Sequence, residues 1–226
     1  MGVVNITPDS FSDGGRFLDP EAAASHARRL VEEGADLVDL GAESTRPGSA
    51  PVSEDEELAR LLPVLRELDL KVPVSVDTRR PRVMKAVLEA GASMINDIEA
   101  LGAPGASEAV AASGCAVCLM HKKGDPATMQ QDPQYADVVG EVRDFLRERV
   151  AAARAGAIAA ERIVVDPGFG FGKSAEHNMT LLKGLARFAD LGVPLLAGLS
   201  RKSTLGRLTG RPVGERLAAS LAAALL

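Results

Sequence analysis

Apolar runs of a few residues alternate with longer amphipathic stretches along this chain, and the runs end on polar residues. Gly2-Val3-Val4 reads as the end of a strand. It stops at Asn5, which opens the loop Asn5-Ile-Thr-Pro-Asp-Ser-Phe-Ser-Asp-Gly-Gly15. A helix is predicted from Pro20 to Glu33, with Pro at the favoured start and Gly34 at the stop. The strand Asp36–Leu40 leads into Gly41-Ala-Glu-Ser-Thr-Arg-Pro-Gly48, and a helix over about Glu54–Leu68 follows. Next come a strand Val72–Val76 ending at Asp77-Thr78, a helix Pro81–Ala90, and a strand Ser93–Ile95 ending at Asn96-Asp97. A helix near Pro104–Ser113 precedes the strand Cys115–Met120, the polar loop His121–Asp132 and a long helix ending near Gly156. The strand Arg162–Val165 ends at Asp166, and a helix spans about Ala175–Ala189. A seventh strand, Val193–Ala197, runs into Ser200-Arg-Lys-Ser203, and the last helix runs from Val213 to the end.

Seven strand–loop–helix units with no linker between them predict a single α/β domain over residues 1–226. Repeated βα units imply a parallel sheet, because each crossover must return to the same edge. Polar strand ends in one continuous domain favour a (β/α)8 TIM barrel over a doubly wound sheet. Active sites of such barrels are built from loops at the carboxyl ends of the strands. Asn5, Asp77, Asn96, Asp166 and Lys202 sit there or just beyond. The first strand is short, and the chain stops where an eighth strand and helix would follow. The expectation is therefore a barrel truncated before that unit, less soluble and less active alone than with it.

Composition narrows the classes. A hydrophobic content of 46% supports a large core, and 3% aromatic residues with no Trp mean that Ala, Leu and Val must fill it. A net charge of -5 argues against a nucleic-acid partner. The most apolar stretch, Leu217–Leu226, is far below the ~20 residues of a membrane span. With two cysteines and no export signal, a cytoplasmic home is expected.

Each candidate site residue has a plain structural alternative. The first loop offers the Asn5 amide to a ligand or metal, oxygens at Thr7, Asp9, Ser10, Ser12 and Asp13, and Phe11 as a lid. Alone it would read as a flexible turn, but comparable polar strand ends recur. Asp77, Asn96 and Asp166 could each cap a helix. Converging in one barrel mouth, they would instead read a ligand edge rich in N–H donors, such as a fused amino-pyrimidinone ring. Asp166-Pro-Gly-Phe-Gly-Phe-Gly-Lys173 fits neither a Walker A loop nor a dinucleotide fingerprint. Its glycines are expected to bring backbone close to a bound ring, with Phe171 as a flat wall. Cations at Arg46, Lys173, Arg201 and Lys202 in an acidic chain suggest an anionic substrate. Cys115 and Cys118 lie three apart on a strand, point to opposite faces and should not converge. His121 either touches the site or supports the fold, and His26 and His177 read as surface or packing residues.

These residues resemble the dihydropteroate synthase family of folate-pathway enzymes that sulfonamides target. The resemblance rests on the first loop together with Glu43-Ser-Thr-Arg-Pro-Gly48, Ser75-Val-Asp-Thr78, Ile95-Asn-Asp-Ile98, Leu119-Met-His121, Thr128-Met-Gln130, the Asp166–Lys173 run and Ser200-Arg-Lys-Ser203. It implies a TIM barrel, a homodimer when full length, and Mg2+-assisted joining of 6-hydroxymethyl-7,8-dihydropterin diphosphate to p-aminobenzoate with release of diphosphate. It assigns Asp77, Asn96, Asp166 and Lys202 to the pterin, with Met120 and Phe171 lining the slot, and Asn5 to the metal and diphosphate. Thr45, Arg46 and Pro47 would belong to a second substrate loop, Phe11 to the first, and Ser203 to the aminobenzoate carboxylate. Two departures stand out: Lys122-Lys123 replace the family's usual Met-Gln after the His of Leu-Met-His, and the chain stops before the family's final Arg-x-His motif. A pterin-dependent methyltransferase domain and a non-catalytic pterin-binding fragment are the alternative readings.

Overall fold

The computed structural model describes residues 1–7, 19–44, 52–125 and 128–226. Six strands, β1 (Gly2–Asn5), β2 (Val38–Gly41), β3 (Val74–Asp77), β4 (Met94–Asp97), β5 (Ala116–Met120) and β6 (Ile163–Asp166), form one sheet in the order β1-β2-β3-β4-β5-β6. All five pairings are parallel. A strand order that follows the chain order has no reversal point. Every right-handed crossover then falls on the same face, and the sheet curls towards a barrel instead of opening into two helix-covered layers.

The helices are α1 (Pro20–Glu32), α2 (Glu54–Glu67), α3 (Pro81–Glu89), α4 (Ala106–Ser113), α5 (Val138–Ala155), α6 (Ala175–Lys183), α7 (Ser203–Thr209) and α8 (Leu217–Leu225). Their starts are encoded locally. The side chains of Asp19, Ser53, Asp137 and Ser174 cap α1, α2, α5 and α6, and the first residues of α1 and α3 are Pro20 and Pro81. Among the described residues no helix is long and apolar enough to cross a membrane.

Side chains alternate across a strand, so the pairing register sorts them into two sets. One set holds Val4, Val38, Leu40, Val76, Ile95, Val117, Leu119, Ile163 and Val165. It is fully buried and packs in one cluster with Ala23, Ala27, Leu61, Val64, Val83, Val87, Val142 and Leu146 of the helices. Alanines at such positions let helix and sheet approach closely, which is how a chain nearly free of aromatic residues fills its core. The other set is polar for most of its length. Asn5, Gly41, Asp77, Asn96 and Cys118 stand in one row across five strands, with Asp39 and Ser75 in the row beneath.

The seventh predicted strand is not formed. The Val193–Ala197 stretch makes a single bridge, Val165 to Leu195. Its hydrogen bonds are Val165 N–H to the Pro194 carbonyl at 3.0 Å and Leu196 N–H to the Val165 carbonyl at 2.8 Å. Pro194 has no N–H to extend the ladder. The predicted Ala175–Ala189 helix ends at Lys183, and residues Leu185–Leu191 continue as a 3-10 helix.

Candidate functional site

The polar row lies at the carboxyl ends of the strands. Asn5 and Asp77 face each other across Gly41. A β-carbon there would lie 3.8 Å from Asn5 Oδ1 and 3.9 Å from Asp77 Oδ2, so the missing side chain keeps the space between them open. Burial, and then the negative charges of Asp39, Asp97, Glu57 and Glu43, push the Asp77 carboxyl well above the usual carboxylate range. Asn96 Nδ2 donates to Asp39 Oδ2 at 3.2 Å, which turns the Asn96 carbonyl oxygen away from Asp39. Among the described residues that oxygen has no hydrogen-bond partner, while the Ser75 hydroxyl stands against the Asp39 carboxyl in the row beneath. Buried polar atoms seldom stay unpaired. The Asn96 oxygen at the carboxyl end of β4 is left as an acceptor for a polar guest.

Asp39 escaped the sequence reading. Its signal was available: an acid in the middle of a strand, at Val38-Asp-Leu-Gly41, can only face inward if its apolar neighbours face the helices. Burial raises its carboxyl pKa, with the Ser75 hydroxyl and then the Asn96 amide working the other way.

On the opposite side, Asp166 and Lys202 converge at Gly198. A β-carbon on that glycine would be 4.0 Å from both Asp166 Oδ2 and Lys202 Cε. Asp166 Oδ1 accepts from Gly168 N–H at 2.7 Å. Burial raises the Asp166 carboxyl pKa, while the Gly168 N–H, Lys202 and Lys173 oppose the rise. Burial lowers the Lys202 ammonium pKa, and Asp166 opposes that. Lys202 Nζ stands 4.6 Å from the centre of the Phe171 ring, close enough for a cation–π contact. Met120, buried and in register with Asp166, completes this wall. Ser203 is the exposed first residue of α7, one residue beyond Lys202.

Two expectations need correction. Lys173 is not a surface cation drawing an anion. It is 2% exposed, and its ammonium donates to the carbonyls of Gly168 at 3.0 Å and Phe171 at 3.1 Å, with His121 Nδ1 at 2.9 Å. Burial lowers its pKa to about 7, and burial followed by the Lys173 charge lowers that of His121 to about 3. His121 therefore supports the fold as a neutral ring. Two of the three glycines of the Asp166–Lys173 run, Gly168 and Gly172, serve neighbouring backbone, whereas Gly170 faces the Lys202 side chain. A β-carbon at Gly168 would meet the His121 carbonyl oxygen at 1.9 Å, and one at Gly172 would meet the Lys123 carbonyl oxygen at 2.1 Å. Both positions also have positive φ, 68° and 64°. The loop is stitched to the stretch after β5 by Gln130 Nε2 to the Gly170 carbonyl and by Tyr135 OH to the Gly172 carbonyl.

A charged rim joins the loops after β2, β3, β4 and β5. Arg79 pairs with Glu43 at 3.4 Å and Glu99 at 3.7 Å, and Lys122 pairs with Glu99 at 3.0 Å. Arg80 holds Glu43 at 3.0 Å, the buried Glu57 and the Val52 carbonyl. Lys123 pairs with Glu141 at 3.1 Å and lies over the Tyr135 ring. The two lysines that depart from the family pattern thus fasten their loop from outside the polar row. His177 completes the capping box of α6, His26 lies beside Arg29 on α1, and both cysteines are free and buried. Phe11, Thr45, Arg46 and Pro47 lie outside the described residues. Among the described residues no group of three or more His, Cys, Asp or Glu could hold a metal ion.

Comparison with known proteins gives this geometry a family. The model of the pterin-binding enzyme family matches residues 1–226. The Escherichia coli K12 dihydropteroate synthase is 47% identical over 228 residues, covering 100% of this chain and 81% of its own length. The Yersinia pestis dihydropteroate synthase, solved as a sulfonamide drug complex, superposes with a TM-score of 0.96 at 45% identity, over 100% of this chain and 82% of its own. The Xanthomonas albilineans enzyme was solved with 4-aminobenzoic acid (TM-score 0.92, 53% identity) and with 7,8-dihydropteroate (TM-score 0.89, 50% identity). Each comparison covers 100% of this chain and 81% of the Xanthomonas chain. This chain is an enzyme of the pterin-binding family and belongs to its dihydropteroate synthases.

Proposed function

We propose that this chain condenses 6-hydroxymethyl-7,8-dihydropterin diphosphate with p-aminobenzoate to give 7,8-dihydropteroate and diphosphate. The observation that carries the reading is the inward row of Asp77 and Asn96 facing Asp166 and Lys202, with Phe171 as a flat wall under the amine. The two carboxylates and the free Asn96 oxygen accept from the N–H groups of the pterin edge. Lys202 donates to a ring oxygen or nitrogen, and Met120 and Phe171 hold the ring faces. The aminobenzoate carboxylate is received at Ser203, with Thr45, Arg46, Pro47 and Phe11 serving the loops over both substrates. The complexes of the Xanthomonas relative with 4-aminobenzoic acid and 7,8-dihydropteroate support this choice of substrates.

In the reaction the aniline nitrogen bonds to the exocyclic methylene carbon of the pterin. The C–O bond to diphosphate breaks, its electron pair leaves with the diphosphate, and the nitrogen loses a proton. A weakly basic aniline needs no strong base to lose that proton once bonded, which agrees with a neutral His121 engaged with Lys173. The donor set fits Mg2+. One amide oxygen at Asn5, with no cage of His, Cys, Asp or Glu among the described residues, suits an ion that keeps several waters and takes most other ligands from substrate phosphates. When bound, Mg2+ offsets the charge of the leaving diphosphate. The chain's own residues orient the pterin methylene towards the amine and screen the centre from water. A cytoplasmic location and a homodimer complete the proposal.

The test is diphosphate release from the two substrates with Mg2+, together with calorimetry of a pterin analogue. Asp77→Asn and Asp166→Asn each place a donor against a donor. A buried polar group left unpaired costs about 1–3 kcal/mol, or roughly 5- to 150-fold in affinity. No diphosphate release from the parent, or unchanged affinity in both variants, would remove this function from the site. Turnover that needs a cobalamin partner would favour a methyltransferase.

A further inference from the structure

The backbone that carries Phe171 and the helix that begins after Lys202 come from different parts of the chain, yet they meet at one buried side chain. Asn178, on α6, is 3% exposed. Its Oδ1 accepts from Gly170 N–H at 2.8 Å. Its Nδ2 donates to the Ser174 carbonyl at 2.8 Å and to Thr204 Oγ1 at 3.1 Å. Donors and acceptors leave no freedom to turn the amide over, because the backbone N–H requires the oxygen and the carbonyl requires the nitrogen. Gly170 is therefore tied to Thr204 in the first turn of α7 through two hydrogen bonds on one rigid group. Lys202 is the residue before that helix, and a β-carbon at Gly170 would stand only 3.5 Å from its Cδ.

Packing between the glycine loop and α7 is incomplete. A cavity of about 20 Å³ lies between Phe169, Asn178, Lys202 and Thr204. Phe169, Leu182 and Leu205 pack in the core around it, and the void weakens that packing locally. The bonds of Asn178 add the directional restraint that apolar contacts lack.

We propose that Asn178 is a positioning residue that fixes the Lys202 amine over the Phe171 ring by fastening the glycine loop to the first turn of α7. The role rests on the reading of Lys202 and Phe171 as pterin contacts, but Asn178 itself touches no substrate. Loss of the link lets the amine and the ring drift apart, so the pterin loses the pairing of a flat wall with a donor above it. The aminobenzoate side follows, because Ser203 lies between Lys202 and Thr204.

The test uses the full chain, a pterin carboxylate as the calorimetric probe, and two variants. Thr204→Val keeps the shape and deletes one bond. Asn178→Leu deletes the whole link. Thr204→Val should lower the melting temperature by no more than about 4 °C, yet weaken the probe 3- to 10-fold, with a larger loss for Asn178→Leu. A residue that only supports the fold would also lower stability, so the deciding readout is a cycle with Lys202→Ala. The fold-loss caused by Lys202→Ala should shrink at least 3-fold in either variant background, because the amine is already misplaced there. Parental probe affinity in Thr204→Val, or losses that multiply independently with Lys202→Ala, would overturn the role. Should Asn178→Leu fail to fold, the Thr204→Val cycle decides alone. A parent that binds no pterin would sink the functional reading itself, a different outcome from a parent that binds and variants that bind equally well.

Discussion

Arg80→Met should be among the most damaging single changes outside the polar row, and the rim geometry fixes how damaging. Glu57 on α2 is 1% exposed and its carboxylate pairs with Arg80. The same guanidinium also holds Glu43 at 3.0 Å and the Val52 carbonyl. After substitution Glu43 keeps Arg79 at 3.4 Å and the Val52 N–H at 3.3 Å. Among the described residues Glu57 keeps no cation. Breaking a buried pair by removing one partner costs about 3–5 kcal/mol, most of it from the charge left behind. For a chain of this size each kcal/mol moves the melting temperature by about 2–4 °C, so Arg80→Met should melt roughly 6–20 °C below the parent. The check is thermal unfolding followed by circular dichroism, with Arg80→Met/Glu57→Leu beside it. Removing both charges abolishes the orphan, and the double variant should recover most of the loss. If the double variant melts no higher than the single one, the stranded Glu57 charge is not the cause.

Other consequences are equally open to measurement. The folded state releases the Lys173 proton at about 7 and the unfolded chain at its ordinary 10.5, so between these values the unfolded chain binds more protons and folding gains stability as the pH rises. The stability difference between the parent and Lys173→Met, from urea unfolding at pH 7, 8 and 9, should therefore shift in the parent's favour by about 1.4 kcal/mol per pH unit at most; a flat difference would refute it. Gly168→Ala must accommodate a β-carbon 1.9 Å from the His121 carbonyl oxygen at a φ of 68°, and should fold poorly, whereas Gly214→Ala, with nothing within 4 Å, should melt as the parent does. Because burial raises the Asp77 and Asp166 carboxyl pKa values, pterin affinity should fall on acidification from above the usual carboxylate range. Asp77→Asn/Asp166→Asn should flatten that dependence, as read by calorimetry across pH 5 to 8.

The division between sequence and structure follows the range of the forces. Caps and stops act within a turn or two, so Pro20, Pro81 and Gly34 marked helix ends to within a few residues. Strand positions were legible from their apolar runs, but the runs were read as apolar throughout. The alternation that sends Val38 and Leu40 to the helices and Asp39 inward became visible only with the register of neighbouring strands. The seventh strand failed for a reason that is local in part, Pro194, and non-local in part, since ladder bonds need a neighbour in place.

The candidate site shows the same boundary more sharply. Residue type and strand-end position brought Asp77, Asn96, Asp166 and Lys202 forward as candidates, because several polar strand ends in one barrel outweigh the helix-cap reading that Asp77, Asn96 or Asp166 has alone. Which cation is consumed inside the fold was not decidable that way. Lys173 and Lys202 are both lysines beside glycine-rich turns, and only the approach of the His121 and Gly168 carbonyls makes one of them internal. The Asn178 link is less legible still, because Gly170, Asn178 and Thr204 are joined by hydrogen bonds whose geometry no linear spacing encodes. The sequence by itself determined the βα rhythm, the helix ends and the chemical inventory of the mouth, since these depend on neighbours a few residues apart. The tertiary structure decided which polar groups stay unpaired and which are consumed in holding loops together, because burial and hydrogen-bond satisfaction depend on chain segments that meet only in the folded barrel.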